Sequence, residues 1–242
     1  TSGMCRSSVT IGAASSTGVA AETQLISGGG HGGDVTVTVD RLEIGGGALI
    51  SATTFGTGDA GSVSISAGEM LISGTGSAFL TGVAAQTLSN PGGGRGGDVT
   101  VLADRLEIRG DAVISTRTTG SGDAGRLSVS AGEIWLSGDG SGGFTGLATQ
   151  ADADSSGRGG DLLVTADRLV IRDGAQISAA TFASGDAGNV VIRVAEQLTL
   201  ERADIATAAL SDAGGGSITI ETPGTVTLVN SQITTSVAGG DR

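Results

Sequence analysis

The hexapeptide GGDVTV occurs at Gly32–Val37 and again at Gly96–Val101, and a close variant, GGDLLV, stands at Gly159–Val164. The two intervals differ by a single position. A chain that restates itself at fixed spacing builds one small unit several times, and its fold is the way those units stack. A second version of the phrase lies halfway between the first ones, beginning at Val63, Leu127 and Val190, with a last copy at Ile218. Val35, Val63, Val99, Leu127, Leu162, Val190 and Ile218 therefore align as one repeated position. The short steps, such as Val35 to Val63 and Val190 to Ile218, set a base unit of about 28 residues. The two long steps, Val63 to Val99 and Leu127 to Leu162, carry seven or eight more.

Inside each unit apolar residues alternate with polar ones. Val35, Val37 and Val39 point one way and Thr36 and Thr38 the other. Leu42 and Ile44 form a second short apolar stretch, and Ala48, Ile50 and Ala52 a third. Period-2 alternation is the mark of a half-buried strand. Three short strands in so small a unit cannot bury their apolar faces alone, but stacked units bury them in one column. The expected fold is all-β: a parallel β-helix, or β-solenoid, with three short strands per coil and about seven to eight coils. The whole of residues 1–242 reads as one such segment. It divides into a partial coil (1–31), repeats (32–95, 96–158 and 159–211) and a terminal coil (212–242). Besides the ladder from Val35 to Ile218, a second ladder is expected through Ile50, Ile114, Ile177, Ile205 and Ile233.

Three further features follow from this register. The extra residues fall before the GGD turn, at Ser89–Arg95 and Ala151–Arg158, with Glu22–His31 as the matching loop of an earlier coil. They should protrude along one edge. Arg41, Glu69, Arg105, Glu133, Arg168 and Glu196 align as a charge ladder of alternating sign, a structural device that opposes slippage by one coil. Thr17–Ala21 repeats Thr81–Ala85, and Ile233–Arg242 resembles the start of Ile50–Ala60. The chain is thus expected to open and close inside a coil, without polar caps. That points to a segment of a longer protein, or to a unit that stacks end to end with itself.

Composition narrows the function. There are 45 glycines but no three-residue glycine period, which excludes collagen. The formal net charge is −12 and every basic residue is arginine. Such a chain repels nucleic acid and anionic membrane surfaces. No apolar run approaches the length of a membrane span, so no membrane insertion is expected. The first ten residues do not read as a secretion signal, and the lone Cys5 has no partner for an internal disulfide.

Candidate sites are few. His31, the single histidine, aligns with Arg95 and Arg158 and is a poor metal site alone. Gly29–Asp34 and Gly93–Asp98 match the opening of a calcium-binding nonapeptide, but that motif must recur every nine residues. Arg109-Gly110-Asp111 spells a known adhesion tripeptide, yet it aligns with the variable turns Gly45–Gly47 and Arg172–Gly174. The acidic residues mostly repeat: Asp34, Asp98 and Asp161; Asp59, Asp123 and Asp186; Asp40, Asp104 and Asp167. Residues repeated in every copy are expected to serve turns of the Asx type. Asp152, Asp154 and Arg158 form the least repetitive charged group. Outward rows of Thr and Ser are interrupted by Leu102, Leu163 and Arg193, against a regular ice-binding face. No catalytic, cofactor-binding or metal-binding residue is assigned, no cofactor is expected, and the chain is not expected to be an enzyme.

The runs ISATTFGTGDAGSVSISAGEMLISG (Ile50–Gly74), GDAGRLSVSAGEIWLSG (Gly122–Gly138) and ISAATFASGDAGNVVI (Ile177–Ile192) resemble the repeat region of large bacterial exoproteins. These belong to the filamentous-haemagglutinin-like, two-partner-secretion family, in the form abundant in cyanobacteria. The resemblance implies a right-handed parallel β-helix, exported through a partner outer-membrane protein and displayed outside the cell. The expected role is a structural or adhesive rod in an adhesin or matrix fibre, with a cell-surface or matrix glycan as its target. The alternative is a carbohydrate-binding or polysaccharide-degrading β-helix, which would need a unique cluster of carboxylates.

Overall fold

A computed structural model describes residues 8–12, 18–23, 31–77, 79–88, 92–140, 142–153, 155–182, 184–210 and 213–238. The described residues contain strands and turns and no helix. Every strand pairing is parallel, and the chain winds as a β-solenoid of about seven turns.

Two kinds of strand alternate along the chain. The long ones are β3 (Val35–Gly45), β5 (Val63–Ser73), β7 (Val99–Arg109), β9 (Leu127–Ser137), β11 (Leu162–Arg172) and β13 (Val190–Glu201). The short ones are β2 (Gly18–Thr23), β4 (Leu49–Thr54), β6 (Thr81–Thr87), β8 (Ala112–Thr118), β10 (Gly146–Ala151), β12 (Gln176–Thr181) and β14 (Asp204–Ala209). With β1 (Ser8–Gly12) and β15 (Ile218–Glu221) the long strands stack into one sheet, to which β16 (Thr225–Val229) also pairs. The short strands and β17 (Gln232–Val237) stack into a second sheet. The β-branched content of these segments and their strict alternation suit a pleated, half-buried surface.

The expected first and second strands of each coil are thus one continuous strand with a corner in it. Asp40 and Arg41 are both exposed, so the alternation breaks there, and pairing resumes in the same register beyond it (Val39↔Ala67, then Arg41↔Glu69). Among the described residues, only the last coil keeps three separate strands. There Thr222-Pro223-Gly224 separates β15 from β16, because proline has no N–H to give the ladder.

The register matches the sequence alignment up to a bulge in β13, beyond which it is offset by one residue, so that Arg168 pairs with Gln197 and not with the expected Glu196. Val35, Val63, Val99, Leu127, Leu162, Val190 and Ile218 are successive partners. The second ladder is complete: Val83 fills the level between Ile50 and Ile114, and Leu147 the level between Ile114 and Ile177. The interior they enclose is aliphatic, with Leu42, Ile50, Ile72, Ile114, Leu136 and Ile177 completely buried. Each such side chain contributes about 1.5–3 kcal/mol of transfer free energy.

The repeated glycine of the GGD phrase has a steric cause. Gly33, Gly61, Gly97, Gly125, Gly160, Gly188 and Gly216 stack one above another. A Cβ on any of the upper six would overlap the carbonyl oxygen of the glycine one coil below. Successive turns of backbone touch there, and no side chain fits. Buried threonines tie this corner to the opposite sheet: the hydroxyls of Thr87, Thr116 and Thr207 donate to the carbonyls of Arg95 (2.8 Å), Gly125 (2.7 Å) and Gly216 (3.2 Å).

One expectation is corrected. The extra residues of the long coils are not all ahead of the GGD turn. Ser73 and Gly82 occupy the places of Gly45 and Leu49, so five extra residues lie between β5 and β6 and only three after β6. The next long coil repeats this, with five between β9 and β10 and two after β10. The larger insert is anchored by its last residue. Thr81 and Thr145 are buried, and their hydroxyls accept the N–H groups of Gly47 (2.9 Å) and Asp111 (2.8 Å) from the coil before.

Candidate functional site

The aligned charges sit where the register places them, as three couples. Arg41 reaches Glu69 (2.6 Å), Arg105 reaches Glu133 (3.1 Å) and Arg168 reaches Glu196 (2.7 Å). The last couple crosses a bulge. An extra residue in β13 makes Gln197 the backbone partner of Arg168, and Glu196 reaches back over it. Arg193–Glu221 (2.8 Å) adds a fourth couple on a neighbouring row. All eight side chains are well exposed, so each couple is worth at most about 1 kcal/mol.

Two of the three sets of repeated aspartates do something other than the expected turn chemistry. Each member of these two sets bonds to the next coil instead of to its own turn. Asp34 Oδ1 accepts the N–H of Ser62 (2.7 Å), Asp98 that of Arg126 (2.8 Å) and Asp161 that of Asn189 (3.0 Å). On a parallel column Asp59 accepts from the N–H of Arg95 (2.7 Å), Asp123 from Arg158 (2.9 Å) and Asp186 from Gly214 (2.6 Å). The Asp34 carboxyl is held below its ordinary pKa by the Ser62 N–H and then by the Ser62 hydroxyl. Asp123 is lowered chiefly by the Arg158 guanidinium hydrogen-bonded to it. The carboxylates of both nonapeptide matches, Asp34 and Asp98, are engaged in this way. Gly29 and Gly30 lie outside the described residues.

The remaining sequence candidates are dispersed. His31 is strongly exposed, with Nδ1 3.6 Å from Asp59. In the Arg-Gly-Asp tripeptide, Gly110 and Asp111 both have positive φ (52° and 58°), as Gly46 and Gly47 do in the equivalent turn. The Asp111 carboxylate lies against Gly143 of the next insert and Arg109 pairs with Glu107 (3.6 Å), so both charges are occupied. Asp152 pairs with Arg117 and Arg158 with Asp123, which separates the group expected around 151–158. Asp154, Cys5 and the loop residues 24–30 and 89–91 lie outside the described residues. Among the described residues no three His, Cys, Asp or Glu side chains converge on a metal position, and no helix is long and apolar enough to cross a membrane.

Two long depressions mark the surface. An open trough of about 890 Å³ follows the corner in the long strands, over Ala67, Ala103, Ala131 and Ala166. Asp104 and Asp167 stand two coils apart on its rim, and each carboxylate leans toward a glycine, Gly68 or Gly132, in the coil before. The trough has no aromatic lining. Farther along β9, Trp135 lies between the guanidinium groups of Arg105 and Arg172, 5.9 and 5.8 Å from the ring centroid, a cation–π arrangement.

The second depression, about 700 Å³, crosses the outer face of the short-strand sheet. Its floor is built of small side chains, Ser115, Ala148 and Ser178, stacked on consecutive coils. Phe79, Leu80 and Phe144, all from the larger inserts, stand on one side and Phe182 on the other. Sequence reading passes over this groove, yet a signal is present. The chain has four phenylalanines, Phe55, Phe79, Phe144 and Phe182, and all fall between strands while the core is aliphatic. All four are exposed by 36–53%. Large apolar rings kept out of a core they would fit are informative.

Compared with known proteins, the chain matches no family model, no curated protein and no solved structure.

Proposed function

We propose that this chain is a rigid rod segment of a secreted or surface-displayed bacterial exoprotein of the filamentous-haemagglutinin-like kind, with a structural or adhesive role and no catalytic one. One observation carries the reading: the aliphatic ladders, glycine column and Asp-to-backbone bridges run coil after coil without interruption. A scaffold so uniform resists bending and shear along its axis, and two of the repeated aspartate columns are used to hold the next coil. At about 4.8 Å per coil, eight stacked levels span roughly 34 Å. Export through an outer-membrane partner and an extracellular location belong to the same proposal, as does end-to-end association with further coils of its own kind.

The test has two parts. The purified chain is incubated with bacterial and plant polysaccharides, and bound protein and released sugars are scored together. Retention without release is the expected result, and catalytic release of products overturns the reading. Separately, removal of residues 96–158 joins Arg95 to Gly159 in register. That variant is expected to stay folded and to be two coils shorter by small-angle scattering. A collapse of the shortened chain would mean that the coils are not interchangeable rod units.

A further inference from the structure

We infer that the groove over β8, β10 and β12 binds a neutral oligosaccharide, lying along the solenoid axis with its sugar rings against Leu80, Phe144 and Phe182. The inference rests on the adhesive reading above and names its ligand and site.

The geometry is commensurate with a pyranose chain. The floor residues Ser115, Ala148 and Ser178 rise by one coil each, about 4.8 Å, close to the length of one pyranose residue. Gly82 and Gly146 both pair with Val113, so Leu80 and Phe144 hold the same place in their inserts, two coils apart. That is about 9.6 Å, the distance after which a ribbon-like glycan presents the same ring face again. The two inserts lie two coils apart, so the spacing of their side chains and the repeat of such a chain agree. The groove volume of about 700 Å³ lies within the range of small-ligand sites, about 300–1,000 Å³.

Its chemistry selects a neutral sugar. The C–H face of a pyranose packs on an aromatic ring, and its hydroxyls both donate and accept. Gln86, Gln150 and Gln176 line the groove with amides that do the same. Arg117, the cation lining the groove, is committed to Asp152, and the Gln150 amide also donates to that carboxylate (2.6 Å). The Asp111 carboxylate is packed against Gly143. An acidic saccharide would find that cation already paired and a chain of net charge −12 around it. A polypeptide binding by strand addition would find no edge, because β8, β10 and β12 are each paired on both sides.

The test is calorimetric titration with cellohexaose, xylohexaose, mannohexaose and the acidic hexagalacturonate. At least one neutral hexasaccharide is expected to bind, with the corresponding trisaccharide at least tenfold weaker. Phe144→Ala is expected to weaken binding about tenfold. Ser178→Arg, which fills the floor, should abolish it, and Phe55→Ala, outside the groove, should leave it unchanged. Circular dichroism confirms that each variant is folded. Preference for hexagalacturonate overturns the inference. Unchanged binding by both Phe144→Ala and Ser178→Arg places the contact elsewhere and overturns the groove while the adhesive reading stands. Absence of binding to every saccharide overturns the groove. If the polysaccharide retention assay is negative as well, local adhesion falls with it and a passive rod remains.

Discussion

Each coil turns between its two sheets at two places, and the two are built on opposite principles. Where a short strand gives way to the next long one, glycine stacks on glycine and an aspartate reaches up to the next backbone N–H. The loop there varies by only two or three residues. Where a long strand gives way to a short one, five residues are inserted in two of the coils, and these carry Phe79, Leu80 and Phe144 to the surface. The first place fixes the register of the stack; the second is free to differ and holds an aromatic wall. A repeat protein can acquire a binding surface without disturbing its core if register and variation are kept at different corners.

The sharpest way to break this contrast is to add a methyl group at the tight corner. In Gly125→Ala the new Cβ would overlap the carbonyl oxygen of Gly97, a backbone atom that cannot rotate away. The two coils must separate or shift, and the expected loss is about 3 kcal/mol or more. Thermal unfolding followed by circular dichroism should show a Tm lower by roughly 5–10 °C. Gly140→Ala, in the insert, meets open space; its cost is confined to a positive φ of 75° and should be only about 1 kcal/mol. Equal effects at the two sites would mean that the corners do not differ in the way described.

A smaller effect is expected from the threonines behind the tight corner. Thr87 is fully buried and its hydroxyl donates to the carbonyl of Arg95 across the interior. Thr87→Val keeps the shape and removes one of two donors to that carbonyl, which also accepts the Ala60 N–H (2.9 Å), and should cost about 1 kcal/mol. Chemical denaturation with an unchanged m-value checks it. A neutral outcome would mean that the Ala60 N–H alone satisfies the Arg95 carbonyl and that the interior tie is dispensable.

These cases also show what is legible in the sequence. The ladders from Val35 to Ile218 can be read directly, because burial on one face imposes a period of two and a slipped register would expose the whole set. The glycine column can be located but not explained, since a backbone contact between residues a whole coil apart leaves no pattern beyond the glycine itself. The aspartates are assigned by sequence to their own turns because local hydrogen bonds are the default for such residues; their partners in the next coil become visible only when the coils are stacked. Val83 and Leu147 escape the alignment because the inserts ahead of β6 and β10 shift the count by five. The groove is illegible for the same reason. Its walls come from residues 79–80, 144 and 182, which no linear motif joins.

Acid should act on the tight corner through the aspartates. Asp34 and Asp123 have folded-state pKa values below those of the unfolded chain. Their contribution is present above about pH 4, near the unfolded value for aspartate, and is lost as pH falls through the folded values. Tm should therefore be flat from pH 7 to pH 5 and fall below about pH 4. Asn189 already fills an Asp place in the column, accepting the Ser217 N–H through Oδ1 (3.0 Å). The double variant Asp34→Asn with Asp123→Asn should therefore keep the bridges and shed part of the acid sensitivity. An unchanged pH profile in that variant would assign the sensitivity to other carboxylates.

The smallest expected effect lies on the exposed charge couples, which separate register from stability. Arg105 pairs with Glu133, lies 4.0 Å from Glu107, and shares a ladder level with Glu69 below. Arg105→Glu removes one attraction and sets three acidic side chains in line, with a fourth, Glu107, beside them. It also strips one guanidinium from Trp135. Because these groups are half-exposed, the combined cost should be near 1 kcal/mol. It should shrink as ionic strength rises and the Debye length drops from about 10 Å at 0.1 M salt to 3 Å at 1 M. A Tm deficit of a few degrees at low salt that largely disappears at 1 M salt is the expected result. A deficit that persists at high salt would instead assign the role of Arg105 to its packing on Trp135. No deficit at all would remove the charges from the account of register, since a chain that tolerates like charges on adjacent coils cannot be using those charges to reject a slipped alignment.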